Sequence, residues 1–191
     1  MLQDFVQQIH NTIHEVMNEM HTAMPGKIVS YSKGLVNVRP SIRYKTPSGK
    51  YMQYPVISGV PIVVPHGGNA SITVPIKAGD DCLIIVSEQS LDEWLSGAED
   101  DTQLLFDLTN AICIPGLCKT KIDAQEEANK TGGVVIACGS NKLYVSNESV
   151  AVSGNLKIEG NLTCTGAVKG NLNVEGNLNC TGTVKGSNIE D

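Results

Sequence analysis

The stretch from Gly154 to Lys185 limits what this chain can fold into more than any other. It reads GNLKIEGNLTCTGAVK and then GNLNVEGNLNCTGTVK, with twelve of sixteen positions identical. Each copy divides into pieces of six, six and four residues, and every piece opens with Gly. Every even position from Gly154 to Gly186 is Gly or apolar: Leu156, Ile158, Leu162, Cys164, Val168, Leu172, Val174, Leu178, Cys180 and Val184 fill the apolar ones. Every odd position from Asn155 to Lys185 is polar except Ala167. A period of two belongs to strands with one face covered and one face wet. A repeat of this kind sets the architecture before any smaller feature does.

Such a tail cannot stand as an independent single-chain domain. It carries no aromatic residue and its inward side chains are small. Burying a Leu or Val contributes roughly 1.5–3 kcal/mol, while ordering each residue costs about 1–2 kcal/mol of backbone entropy. The wet face adds nothing, so the tail needs partners along its whole length. Two arrangements fit. Three chains wind around a common axis into an intertwined triple-stranded β-helix, or one chain coils on itself as a solenoid and stacks on its own kind. A solenoid wants three near-equal strands per turn and about three repeats. The four-residue third piece and the barely two repeats favour the homotrimer. Its core would be the apolar row from Leu156 to Val184.

The chain has 191 residues, enough for one small domain plus an extended element. Aromatic residues make up only 4%, which suits a small β domain joined to fibrous β-structure better than one large core. A net charge of −6 argues against a nucleic-acid surface. No apolar run follows a basic N-terminal stretch, so no signal peptide is expected. None approaches 18 residues, the least a membrane-spanning helix needs. The six cysteines form no Cys-x-x-Cys and mostly sit in apolar patterns, which predicts buried free thiols in a reducing compartment.

From the N-terminus, a helix is expected over residues 2–24. Leu2, Val6, Ile9, Ile13, Val16 and Met20 step by four and three, the a/d seam of a coiled coil. The seam serves either a threefold helical stalk or packing on the chain's own domain. Pro25-Gly26 reads as its stop. His10 and His14 stand four apart with no third ligand in view, and are read as surface histidines. Residues 26–118 then change period. Short strands in KIVSYS, GLVNVRP, SIRYKT, YMQYPVIS, VPIVVPHGG, ASITVPI and CLIIVSEQS, broken by Gly and Pro, indicate a small antiparallel barrel. Ser90 with Glu93 reads as a capping box for a short helix holding a core Trp94. The acidic run Glu99-Asp100-Asp101 reads as a solvated loop. Residues 119–131 are polar and read as a linker or a short exposed helix. The β pattern resumes at 132, with a parity flip at Asn147-Glu148 that calls for a turn or bulge. Alternation fails again at Asn188, so Asn188, Ile189, Glu190 and Asp191 belong to a tip that begins near residue 187.

The run VPIVVPHGG…SITVPIKAGDDCLIIVSEQSLDEWL, followed by FDLTNAICIPGL, resembles the N-terminal OB-fold domain of spike proteins from contractile phage tails and related bacteriocin particles. The alternating tail resembles their C-terminal triple-stranded β-helix. The resemblance implies a mainly β protein: an N-terminal helix over 1–25, an OB-fold barrel over 26–118, a linker over 119–131, and a β-helix spike over 132–191 in a homotrimer. It implies tail-tube and baseplate-hub proteins and the target bacterial envelope as partners, with a separate tip protein as a further candidate. The place would be a virion or phage-tail-like particle, the chain being made in the bacterial cytoplasm. The role would be mechanical: sheath contraction drives a non-enzymatic spike into the envelope. Many such spikes hold an apical iron on a His-x-His pair. This chain has no His after His66, so no metal or other cofactor is expected.

Two other classes compete. A cytoskeletal polymer of β-solenoid units would explain the tail but not the barrel or the heptads. A single-stranded nucleic-acid binder would use a basic and aromatic groove, for which Arg39, Arg43, Tyr44, Lys45, Tyr51 and Tyr54 are the candidates. The alternative for these residues is a barrel surface facing a hub or neighbouring chain. No hydrolase, zinc-protease, P-loop or dinucleotide motif stands in a fitting context, and no enzyme is expected.

Overall fold

The computed structural model describes residues 2–46, 48–97, 104–171, 173–177, 179, 181 and 182, with the backbone alone at Leu2. The chain forms two units, Met1–Glu127 and Ala128–Asp191.

In the first unit, helix α1 spans Leu2–Glu19. It ends five residues before the expected limit at residue 24. Pro25-Gly26 does not stop it, because strand β1 already begins at Ala23 and runs to Ser32. The reason is a period-two signal beneath the proline: Met24, Gly26 and Ile28 are buried while Pro25 and Lys27 are exposed. Pro25 has no N–H for the ladder, and its carbonyl accepts instead from the Ser41 N–H at 2.8 Å. Strand β2 (Leu35–Pro40) returns through Lys33 and Gly34, both at positive φ, which gives the tight turn expected there. A short hairpin follows, β3 (Arg43–Lys45) and β4 (Tyr51–Gln53), then β5 (Ile57–Pro61). The expected strand ASITVPI shrinks to β7 (Ala70–Ser71), paired with β6 (His66–Gly67). Strand β8 (Asp81–Val86), helix α2 (Asp92–Ser96), a 3-10 turn at Leu108–Asn110 and strand β9 (Ala111–Pro115) complete the unit.

Five strands make one antiparallel sheet in the order β5-β2-β1-β8-β9. The sheet curls into a half-barrel. Its two edge strands approach where Ile62 makes a parallel bridge to Cys113 and the Val63 N–H donates to the Cys113 carbonyl at 2.8 Å. The concave side buries Met24, Ile28, Val36, Val38, Ile57, Val60, Cys82, Ile84, Ala111 and Cys113. Strands β1, β2, β8 and β9 contribute alternate residues, as the period of two requires, while β5 contributes Ile57 and Val60 across an irregularity in its pairing with β2. Cys82 and Cys113 are fully buried, as expected. The neighbouring Cys82 thiol, then burial, pushes the Cys113 thiol up. Cys118, Cys138 and Cys164 are exposed, against expectation.

In the second unit, strands β10 (Val134–Cys138), β11 (Asn141–Val145) and β12 (Val150–Ser153) form an antiparallel meander. Helix α3 (Asp123–Thr131) crosses from one unit to the other, so the polar segment is a helix more than a plain linker. The parity flip at Asn147-Glu148 is the β11–β12 turn, closed by the Ser146 N–H to the Ser149 carbonyl at 2.9 Å. The flip keeps both strands' apolar residues on one face: Leu143 pairs with Val152 and Val145 with Val150.

Gly26 is the tightest point of the half-barrel. A Cβ there would lie 2.9 Å from Ile84 Cγ1 and 3.2 Å from the Arg39 carbonyl oxygen. Gly26→Ala is therefore expected to overpack the core and destabilise the first unit by roughly 1–3 kcal/mol. Urea unfolding followed by circular dichroism checks this, and an unchanged midpoint would refute it.

Candidate functional site

The structure presents apolar faces without cover. The meander's own face is the first. Val134 pairs with Val145 and Val145 with Val150; Ile136 pairs with Leu143 and Leu143 with Val152. One side of the three strands is thus a continuous apolar panel, and Val134, Ile136, Val145, Val150 and Val152 are all exposed.

In sequence, the tail keeps the same even-numbered apolar row as Val150 and Val152. Past Ser153 the described residues form no strand in the single chain. Of the residues expected to form a trimer core, Leu156, Ile158, Leu162, Cys164, Val168 and Val174 are exposed, Leu162 at 71%. Leu172, Leu178, Cys180 and Val184 lie outside the described residues, as do the tip residues Asn188, Ile189, Glu190 and Asp191. Positive φ at Gly154, Gly160, Gly170 and Gly176 marks the piece boundaries. These are the dihedrals that side chains with a Cβ avoid.

Helix α1 offers a second bare face. Val6, Ile9, Ile13, Val16 and Met20 are exposed, together with Phe5 and Met17 on either flank. The alternative of a helix packed on its own domain does not hold, since every described side chain of α1 is exposed. Met20 falls just past the helix end. The His10 and His14 rings meet at a tilt of 60° with centroids 4.4 Å apart. No group of three His, Cys, Asp or Glu able to hold a metal occurs among the described residues.

The third surface is the β3–β4 hairpin, where the basic and aromatic candidates meet. Arg43 pairs with Gln53, Tyr44 with Met52 and Lys45 with Tyr51. Alternation therefore splits the hairpin. Tyr44 and Met52 share one face, and Tyr44 meets Tyr54 at 4.9 Å, which meets His21 edge-on at 5.7 Å. Burial, then the neighbouring Tyr44, raises the Tyr54 pKa. Arg43, Lys45 and Tyr51 share the other face, with the Lys45 Nζ 6.0 Å from the centre of the Tyr51 ring. Arg39 lies one residue before the end of β2. Thr46 fixes the tip: its N–H donates to the Lys50 carbonyl at 2.9 Å and its hydroxyl accepts from the Lys50 N–H at 3.2 Å.

Opposite in character is the segment around α2. The expected capping box is not formed: Leu91 is the N-cap, and the Ser90 hydroxyl accepts from the Asp92 N–H at 3.2 Å, one residue short of Glu93. Trp94, expected in the core, is 71% exposed, because a five-residue helix outside the sheet has no apolar surface to rest on. Leu95, Leu104 and Leu105 are exposed nearby in sequence. The acidic run Glu99-Asp100-Asp101 lies outside the described residues.

Asp107 anchors the end of this segment. Its carboxylate accepts from the Thr109 N–H at 2.8 Å and the Thr109 hydroxyl at 2.6 Å, and it caps the 3-10 turn. These Thr109 hydrogen bonds, helped by His21, hold its carboxyl below the usual carboxylate range. On the β8 strand, Asp81 is likewise held low by the Lys27 ammonium at 2.9 Å.

Residues 24–116 match the family model described as the phage protein Gp138 N-terminal domain. The match runs from the second residue of β1 to the residue after β9, so its limits are those of the half-barrel. Over these residues the chain is similar to a domain of a phage protein. This supports a phage-associated, mainly β protein. No curated protein matches the chain. Among the described residues no helix is long and apolar enough to cross a membrane.

The depressed carboxyl of Asp107 gives a sign for acid sensitivity. Its stabilisation is present above the unfolded carboxylate value, about 3.9, and is lost as pH falls through the lower folded value. Asp107→Ala is expected to cost roughly 0.5–2 kcal/mol at pH 7 through the lost cap. It should also flatten the stability loss in acid. Parallel denaturation curves for both proteins at every pH would contradict this account.

Proposed function

We propose that the chain is a cell-envelope-piercing spike at the tip of a contractile phage tail or a related particle. Three copies assemble on the tail axis. The half-barrel, read as an OB-fold domain, sits against tail-tube and baseplate-hub proteins. The alternating tail forms an intertwined β-helix that meets the bacterial envelope, either bare or under a separate tip protein. No enzyme activity, cofactor or nucleic acid enters this role.

The carrying observation is the continuous apolar panel of the second unit. It begins on the meander and runs into a tail that makes no ladder with itself among the described residues. A panel of this size marks an association surface. A self-coiled solenoid would pair successive pieces of the tail within one chain, and the described residues carry no such pairing. Winding three chains together covers every panel and pairs every strand. Pulling one chain free then requires breaking ladders to two others, which makes the shaft stiff. The phage-protein match over the neighbouring unit supports the same setting.

The proposed winding makes a chemical prediction. Cys164 is exposed in the single chain but would point to the axis of the trimer. Alkylation of the native protein by iodoacetamide should label Cys118 and spare Cys164, alongside a trimer mass by light scattering that survives SDS without heating. A monomer, or equal labelling of both thiols, would sink the spike reading.

Helix α1 belongs to the same assembly. Val6 and Ile13 at a, with Ile9 and Val16 at d, are β-branched at both seam positions, a choice that disfavours pairs and favours three or more strands. An 18-residue helix without partners is marginal in water. Ile9→Asp with Ile13→Asp is expected to remove the helical signal of α1 from the circular dichroism spectrum while the trimer persists. Asn11→Asp, off the seam, should leave it unchanged. A double variant with full helical signal would refute the coiled coil and leave the shaft untouched.

A further inference from the structure

The net charge of −6 conceals a division within the first unit. Residues 20–79 carry seven Lys and Arg and no Asp or Glu, whereas residues 80–118 carry nine Asp and Glu and no Lys or Arg. The break falls between Lys77 and Asp80, in the loop before β8. One strong contact joins the two fields among the described residues, Lys27 to Asp81 at 2.9 Å. Arg39, Arg43, Lys45 and Lys50 form no ion pair with any described residue, and neither do Glu88, Asp92 and Glu93.

The unpaired groups are not scattered. The cations lie on and beside the β3–β4 hairpin, an arm bonded to itself and rooted in the body through the Tyr44–Tyr54–His21 ring contacts. Its outward face is Arg43, Lys45 and Tyr51, with Tyr51 exposed. The anions sit on α2, where Asp92 and Glu93 precede exposed Trp94 and Leu95. Each surface supplies what the other lacks. One has cations beside an aromatic ring, the other has carboxylates beside an indole. A guanidinium or ammonium over the Trp94 ring and next to two carboxylates gains from both. The arm and α2 make no ion pair within one chain.

We propose that the β3–β4 arm of one copy docks on the α2 segment of the next copy, through Arg43 and Lys45 against Asp92, Glu93 and Trp94. The contact is head-to-tail, so each copy gives an arm and receives one. Such an interface closes into a ring when the copies are related by a threefold axis. It therefore rests on the trimeric reading above and adds how the half-barrels are locked around the axis. It also assigns the basic and aromatic run to a protein contact in place of a nucleic acid.

The test uses the full chain, mixed from light and nitrogen-15-labelled copies, assembled together, and treated with a carbodiimide. Peptides joining Lys45 or Lys50 to Asp92 or Glu93 should appear with one light and one heavy partner. R43E leaves those reactive groups in place, yet the like charge it puts beside the carboxylates is expected to cut their yield about tenfold. R43E combined with E93R should restore the Lys45–Asp92 link. Links found only within one isotope, or a yield indifferent to R43E, overturn the proposal while a trimer mass leaves the spike reading standing. A monomer by light scattering overturns both. Binding of a single-stranded oligonucleotide at physiological salt, abolished by R43E, would also overturn it by giving the arm a different occupant.

Discussion

Strands with one apolar face must be covered, and this chain meets that demand in two different ways. In residues 23–115 the sheet curls so that the apolar faces of all five strands meet. The core from Met24 to Cys113 is thus closed by the chain itself. In residues 134–153 the same alternation produces an apolar face that the described residues leave exposed, and the row continues in the sequence of the tail. The difference lies in side-chain size and connection. The half-barrel has loops long enough to bring β5 and β9 together and enough Ile and Val to fill the interior. The tail has four- and six-residue pieces between glycines, too short to turn back and cover their own row.

That contrast explains why parts of the architecture were plain from the residues and others were not. Alternation located most strands of the half-barrel and those of the meander and placed the β11–β12 turn, because a change of parity leaves no other choice. It missed the start of β1. Pro25-Gly26 carries the outward form of a helix stop, and the residues that say otherwise, Met24 and Ile28, stand on either side of it at a spacing of two from Gly26. Gly26 is there because Ile84 and the Arg39 carbonyl leave no room for a Cβ. A packing constraint therefore looked like punctuation.

Trp94 failed for the opposite reason. Hydrophobic size predicts burial only where an apolar surface lies within reach, and α2 is too short and too polar on its other positions to make one. The expectation of buried thiols held for Cys82 and Cys113, whose strands close the half-barrel. It did not hold for Cys138 and Cys164, whose strands and tail do not close within the chain. The candidate surfaces were legible to the same extent. The heptad seam and the tail row could be read residue by residue, since both are periodic. The amphipathic split of the β3–β4 arm could not, because it depends on which residues face each other across the hairpin.

The charge division follows a similar logic of closure. A domain with its cations and anions sorted into successive halves could neutralise itself only if the halves interleaved in space. Among the described residues they meet in an ion pair where β1 lies beside β8 and Lys27 reaches Asp81. The arm between β2 and β5 and the segment between β8 and β9 both leave the sheet, and they carry their unpaired charges with them. Exposed charge alone would need no partner, because water serves it well. Exposed charge next to Trp94, Leu95, Tyr51 and Met52 is different. The apolar groups gain from leaving water, and they can do so only against a surface whose charges match. In the docking proposed above, a second copy would provide that surface, and a head-to-tail contact of this kind closes into a ring when the copies share a threefold axis.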